Sequence, residues 1–120
     1  MTDIKNHVVS LEIANQLKEA GWVKETEFYW TYSMMDEPKI EHNPQPFRNC
    51  LESWTVLPAP LATEILEELP EKISLCAFYA KSEYRAVDND VHRNASTQVS
   101  HNPCNALASM WLYLKKKKLI

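Results

Sequence analysis

Cys104 and His101 are the residues of this chain best placed by type and spacing to do chemistry. Asn102 and Pro103 between them mark the start of a helix, which puts the thiol at the second helical position and the imidazole one turn upstream. A helix N-terminus stabilises a thiolate and a nearby imidazole can accept its proton, so the pair has the makings of a nucleophile or a redox thiol. The cysteines Cys50, Cys76 and Cys104 with His42, His92 and His101 also supply the donor types of a zinc site, in which His101 and Cys104 would form one pair of ligands. Zinc motifs bring two closely spaced pairs, and only this one is present. Free cysteines are among the most buried residues, so Cys104 reads first as a small core hydrophobe and only second as the centre of a thiol-dependent or zinc-binding protein.

Other reaction classes lack their residues. The chain has no His-Glu-x-x-His helix, no serine in a nucleophile-elbow context and no aspartate pair with metal-loop spacing. Gly21 is the single glycine, which rules out phosphate-cradling loops and dinucleotide fingerprints built on several. The pattern points away from an enzyme: no catalytic residue, metal ligand or cofactor is assigned, and the expected partner is another protein. The formal net charge of −3 includes the four lysines Lys115 to Lys118, so the rest of the chain carries −7. Nucleic-acid binding needs a basic face, which leaves the Lys115–Lys118 cluster as a weak nucleic-acid binder at most and a better compensator of a helix dipole. Glu64, Glu67, Glu68 and Glu71 share one side of a helical pattern and read as a solvated face. The longest apolar run, Leu75 to Ala80, is far too short to span a bilayer, and the first residues lack a signal-peptide hydrophobic region. With an odd number of cysteines, the expectation is a cytoplasmic protein with free thiols and no membrane association.

The elements that must hold these side chains are announced by caps and periodicity. From Asn102 to Lys115 a helix places Leu107, Met110, Trp111 and Leu114 on one apolar stripe, with Trp111 as a core anchor. Following a polar lead, Ser10 caps a first helix that Gly21 ends; Leu11, Ile13, Ala14 and Leu17 form its buried side, and Trp22 folds back as the contact of a Schellman turn. Residues 27–34 alternate as a strand, with Phe28, Trp30, Tyr32 and Met34 on the drier face and Tyr29, Thr31 and Ser33 on the other. Five of the seven prolines lie in residues 36–60, predicting an extended connection with a short strand over 53–57 and a surface to search for binding. A second helix over 61–69 starts after Pro60 and stops before Pro70, with Leu61, Ile65, Leu66 and Leu69 inward. Residues 72–80 are apolar on both faces, as a central strand is, and should form a hairpin with 83–87 through Lys81-Ser82. A polar loop over Asp88 to Asn94 and a short strand over 97–100 lead to the last helix. The length fits a single domain, 1–120: α+β, a mainly antiparallel sheet containing 27–34, 72–80 and 83–87 covered by three helices, in the order α-β-(β)-α-β-β-β-α.

Leu57-Pro58-Ala59-Pro60 leading into Glu64-Ile65-Leu66-Glu67-Glu68-Leu69-Pro70, then a hairpin, then Asn102-Pro103 and Ala106 to Lys115, resembles a group of small bacteriophage and prophage proteins of unknown function, those with the phage α/β (ABA) sandwich domain. The helix ending at Gly21 before an aromatic strand fits the same pattern, and the likeness covers most of the chain. It implies a small phage- or prophage-derived accessory module that binds a protein, docking through the second helix and the proline-rich loop. It brings no functional residue to carry over. Lys81-Ser82 and Lys115 to Lys118 stand where such proteins have Gly-containing turns.

Overall fold

The computed structural model describes residues 7–22, 24–33, 37–42, 54–78, 82–93 and 95–120. The elements run α1 (Leu11–Glu19), β1 (Phe28–Ser33), β2 (Lys39–His42), β3 (Trp54–Pro58), α2 (Ala62–Glu68), β4 (Ile73–Phe78), β5 (Glu83–Asp88), β6 (Gln98–Ser100) and α3 (Pro103–Lys116). The fold is α+β, with two antiparallel three-stranded sheets and three helices among the described residues.

The helices begin and end where local chemistry directs. Ser10 Oγ accepts from the Ile13 amide at the start of α1, and Asn102 Oδ1 accepts from the amides of Cys104 and Asn105 at the start of α3. At the end of α1, Gly21 takes φ 98°, its amide donates to the Lys18 carbonyl and the Trp22 amide to the Leu17 carbonyl. That is the expected Schellman turn. The end of α3 repeats it with a lysine: Lys118 takes φ 58° while its amide donates to the Lys115 carbonyl and that of Leu119 to Leu114.

α3 is the element on which the others converge; it packs against α1, α2 and all three strands of the second sheet. Cys104, Ala106, Leu107, Ala108, Met110, Trp111 and Leu114 are buried along it, a wider stripe than the i, i+3, i+4 pattern alone requires because helices and a sheet cover it from different sides. Its first turn also serves the segment before α1: Asn102 Nδ2 donates to the Val8 carbonyl at 2.9 Å, and Asn105 Oδ1 accepts from the Ser10 amide at 2.8 Å. Trp30 Nε1 donates to the Val9 carbonyl from the other side at 2.8 Å. Val8 and Val9 are fully buried, so this part of the expected polar lead is a core strap whose two carbonyls accept from side chains and whose Val8 bridges to Leu61.

The strands differ from expectation in how they pair. β1 lies between β2 and β3, with Trp30 opposite both Ile40 and Leu57, whereas 73–78 and 83–88 belong to the other sheet. The hairpin pairing of β4 with β5 holds, with Leu75 opposite Ala86, and β5 is central between β4 and β6. β4, read as a central strand from its apolar faces, therefore stands at an edge. Residues 39–42 form a strand that the prolines around them disguise. In β1, Thr31 on the expected wetter face is only 1% exposed, so the middle of the strand is covered on both sides. Its hydroxyl is buried without a hydrogen-bond partner. In α2, Ile65 and Leu69 are buried as expected but Leu66 is 38% exposed, because a helix of two turns presents a narrow face to α3. Met34, residues 43–53, Tyr79 to Lys81 and Asn94, on which parts of the strand, loop and turn expectations fall, lie outside the described residues.

Candidate functional site

The structure does not assemble reactive chemistry around the helix start at Asn102. Cys104 is 1% exposed and its thiol donates to the His7 carbonyl at 3.0 Å. Burial pushes the thiol up to about 11, against the amide of Ala62 and with the carboxylate of Glu64 adding to the rise. A thiol in that state is a packing group, since nucleophilic cysteines need a depressed value and access. His101 is exposed, with Nδ1 2.7 Å from the Ser82 carbonyl oxygen, and so links the last helix to the β4–β5 turn. Cys76 is half-buried on β4, while His42 lies on β2 with Nε2 3.1 Å from a carboxylate oxygen of Glu27. Among the described residues no group of three or more His, Cys, Asp or Glu side chains is placed to hold a metal ion.

The lysine run is exposed. Lys115 Nζ sits 5.3 Å from the centre of the Trp111 ring and Lys117 Nζ 5.9 Å from that of Tyr113. Two of the four charges thus lie over aromatic faces on their own helix, at one turn's spacing, rather than forming one outward cationic surface. No helix among the described residues is long and apolar enough to cross a membrane.

The acidic side of α2 is more than a solvated face. Glu64 turns back to accept from the Leu61 amide at 2.8 Å, half of a capping box, and its other oxygen accepts from the Glu27 amide at 3.0 Å. It fastens the start of α2 to the start of β1. Lys24 donates to Glu67 and lies 3.7 Å from Glu68; the hydrogen bond to Glu67 raises its pKa, burial opposes the rise, and the charges of Glu67, Glu68 and Glu64 add to it.

These residues frame a concavity that combines apolar and charged groups. The C-terminal ends of α1 and α3 bring Trp22 and Trp111 together edge to face, with ring centres 5.1 Å apart, and the Trp22 indole N–H donates to the Lys24 carbonyl at 2.9 Å. The rings are 7% and 5% exposed. Their free edges floor a cleft of about 160 Å³ that Gly21, Lys24, Glu68, Lys115 and Ile120 complete. Trp111 is thus a core anchor, as its stripe predicts, with one edge toward this cleft. Ligand pockets usually run to about 300–1,000 Å³, so the cleft has room for a single side chain. The tryptophan pair was not legible as a site, since 89 residues separate Trp22 from Trp111; the only local hint was the tryptophan immediately after a helix-ending glycine.

A second polar constellation is structural. The Asp88 side chain has no accessible surface; its carboxylate accepts from Arg93 Nε at 2.6 Å and Nη2 at 2.8 Å, and from the amides of Asp90 and Ala95. The Arg93 hydrogen bond, with the two amides, holds the Asp88 carboxyl down at about 2 despite its burial. Arg93 also donates to the Glu71 carbonyl at 2.9 Å, and Asn89 donates to the Lys72 carbonyl from its amide and side chain. The stretch read as a polar loop is therefore a hydrogen-bonded clasp on the end of the β4–β5 hairpin. Comparison of the chain with protein families, with curated proteins and with solved structures finds no match.

Proposed function

We propose that this chain is a small protein-binding accessory module of phage or prophage origin, acting in the cytoplasm without chemistry of its own, and that its partner inserts one apolar side chain into the tryptophan cleft. The phage origin rests on the sequence resemblance. The binding mode rests on the cleft: a floor made by the edges of Trp22 and Trp111, about 160 Å³ of space, and a rim that carries both signs of charge in Lys24, Lys115 and Glu68. Protein partners anchor through single large side chains in such pockets, while a charged rim sets orientation and excludes wrong partners. The exposed Leu66 and the carboxylates of Glu67 and Glu68 continue from the rim along α2, which supports including that helix in the docking surface.

The test is affinity capture from a bacterial lysate with the wild-type chain and with the variant Glu68→Lys/Lys115→Glu, in which two rim charges are inverted and the core is untouched. A partner held by the wild type should be reduced at least about tenfold on the variant. If every captured protein is retained equally by both, the cleft is not the binding site and the reading fails.

A further inference from the structure

We propose that β4 is the dimerisation edge of this protein: two copies pair their β4 strands antiparallel about a two-fold axis at Leu75, joining the second sheets into one sheet of six strands. An unpaired strand edge offers a row of backbone donors and acceptors, and proteins that stay monomeric blunt such edges with charge, proline, shortness or a covering element. Among the described residues β2 carries Lys39, Glu41 and His42 within four residues, β3 ends on Pro58 and is packed by α1, and β6 is three residues long. Among the same described residues β4 has none of these protections. Its six residues, Ile73 to Phe78, contain no charge, proline or glycine, and their apolar character on both faces is that of a strand with neighbours on both sides.

The phase of the backbone selects the register. The Asn89 amide donates to the Lys72 carbonyl, and Ile73 stands opposite Asp88. Lys72 and Asn89 are therefore a hydrogen-bonded pair, and by alternation Ser74 and Cys76 turn their backbone groups toward β5. Ile73, Leu75 and Ala77 turn theirs outward. A two-fold axis at Leu75 sets Leu75 against Leu75 of the second copy and Ile73 against its Ala77, so every outward group meets an outward group. Ser74 then faces Cys76 of the second copy in the closely approaching, non-hydrogen-bonded positions.

The occupant is a second copy because the strand is its own complement. Reversed on itself it sets no like charges opposite one another. Among the described residues the strand ends bring unlike charges toward each other: Lys72 falls beside Phe78 of the second copy, which pairs in its own sheet with Glu83. Ile73 and Leu75, half-buried beside α3 at the open edge, would gain cover on the side now bare.

Sedimentation equilibrium and circular dichroism test this on the full chain. The wild type should sediment at twice 13.9 kDa at about 100 µM, while Ser74→Lys/Cys76→Lys, which sets lysine against lysine twice across the axis, should weaken the dimer at least about tenfold with an unchanged spectrum. The variant Ser74→Lys/Cys76→Glu sets unlike charges at the same two places and should restore it. A monomeric wild type overturns the proposal, as does a lysine pair that leaves the dimer intact. A lysine–glutamate variant that stays monomeric overturns the register and with it the two-fold axis. Loss of partner capture through the tryptophan cleft bears on none of these outcomes.

Discussion

Asp88→Asn removes the charge at the centre of the clasp while leaving its shape. In the native protein the Asp88 carboxylate has no accessible surface and accepts two hydrogen bonds from Arg93 and two from backbone amides. An amide at that position keeps one acceptor oxygen and turns an NH₂ group toward donors that need an acceptor, so a guanidinium only 15% exposed loses its nearer counter-charge and keeps only Asp90 at 3.8 Å. Breaking a buried pair by removing one member costs about 3–5 kcal/mol; the expected loss here is about 3 kcal/mol, since Arg93 retains the Glu71 carbonyl. The pH dependence supplies an independent magnitude. A carboxyl titrating at about 2 rather than 3.8 contributes about 2 kcal/mol at neutral pH, at about 1.4 kcal/mol per pKa unit. Because the folded value lies below the unfolded one, that contribution is complete above about pH 4 and is lost as the pH falls to about 2. Urea denaturation of both proteins between pH 7 and pH 2 measures the gap in stability at each pH, and the other carboxylates cancel in the difference. The gap should stand near 3 kcal/mol at pH 7 and narrow by about 2 kcal/mol between pH 4 and pH 2. A gap under about 1 kcal/mol at pH 7, or one that does not change over that interval, would refute the clasp as the cause.

Trp111→Ala should cost about 3–5 kcal/mol in chemical denaturation, because it empties the core on both the α1 and α3 sides of the tryptophan pair; a loss below about 1 kcal/mol would mean the ring serves a partner instead. Lys118→Gly should raise the melting temperature by a few degrees, about 0.5–1 kcal/mol, since glycine takes the positive φ at the end of α3 without the strain a side chain carries there. A lower melting temperature would contradict this. Thr31→Val should leave stability unchanged or raise it by about 1 kcal/mol, as it removes a buried hydroxyl that has no partner; a loss of more than about 1 kcal/mol would show that the hydroxyl is satisfied in solution.

What could be read from the chain follows the range of the forces involved. The caps at Ser10 and Asn102, the glycine turn at Gly21 and the apolar stripe of α3 are set by hydrogen bonds and packing within a few residues, so their sequence signals are complete in themselves. The β4–β5 hairpin joins neighbours in the chain, and its pairing was legible for the same reason. β1 was recognisable as a strand from its alternation, but nothing in that alternation names β2 and β3 as its partners, because period-two patterns define faces and not neighbours. The burial of Val8 and Val9 depends on side chains from α3 and β1 far along the chain. The charge on Asp88 is held from nearer by, by the Arg93 guanidinium and two amides within seven residues, which come together only in the folded loop. For the tryptophan cleft, sequence alone determined that Trp22 follows a helix end and that Trp111 lies on a buried stripe. Only the tertiary structure, by crossing α1 and α3 so that their C-terminal ends meet, decided that the two rings form one floor with Lys24, Glu68 and Lys115 around it; contact between distant segments is fixed by the packing of whole faces, which no local run of residues encodes.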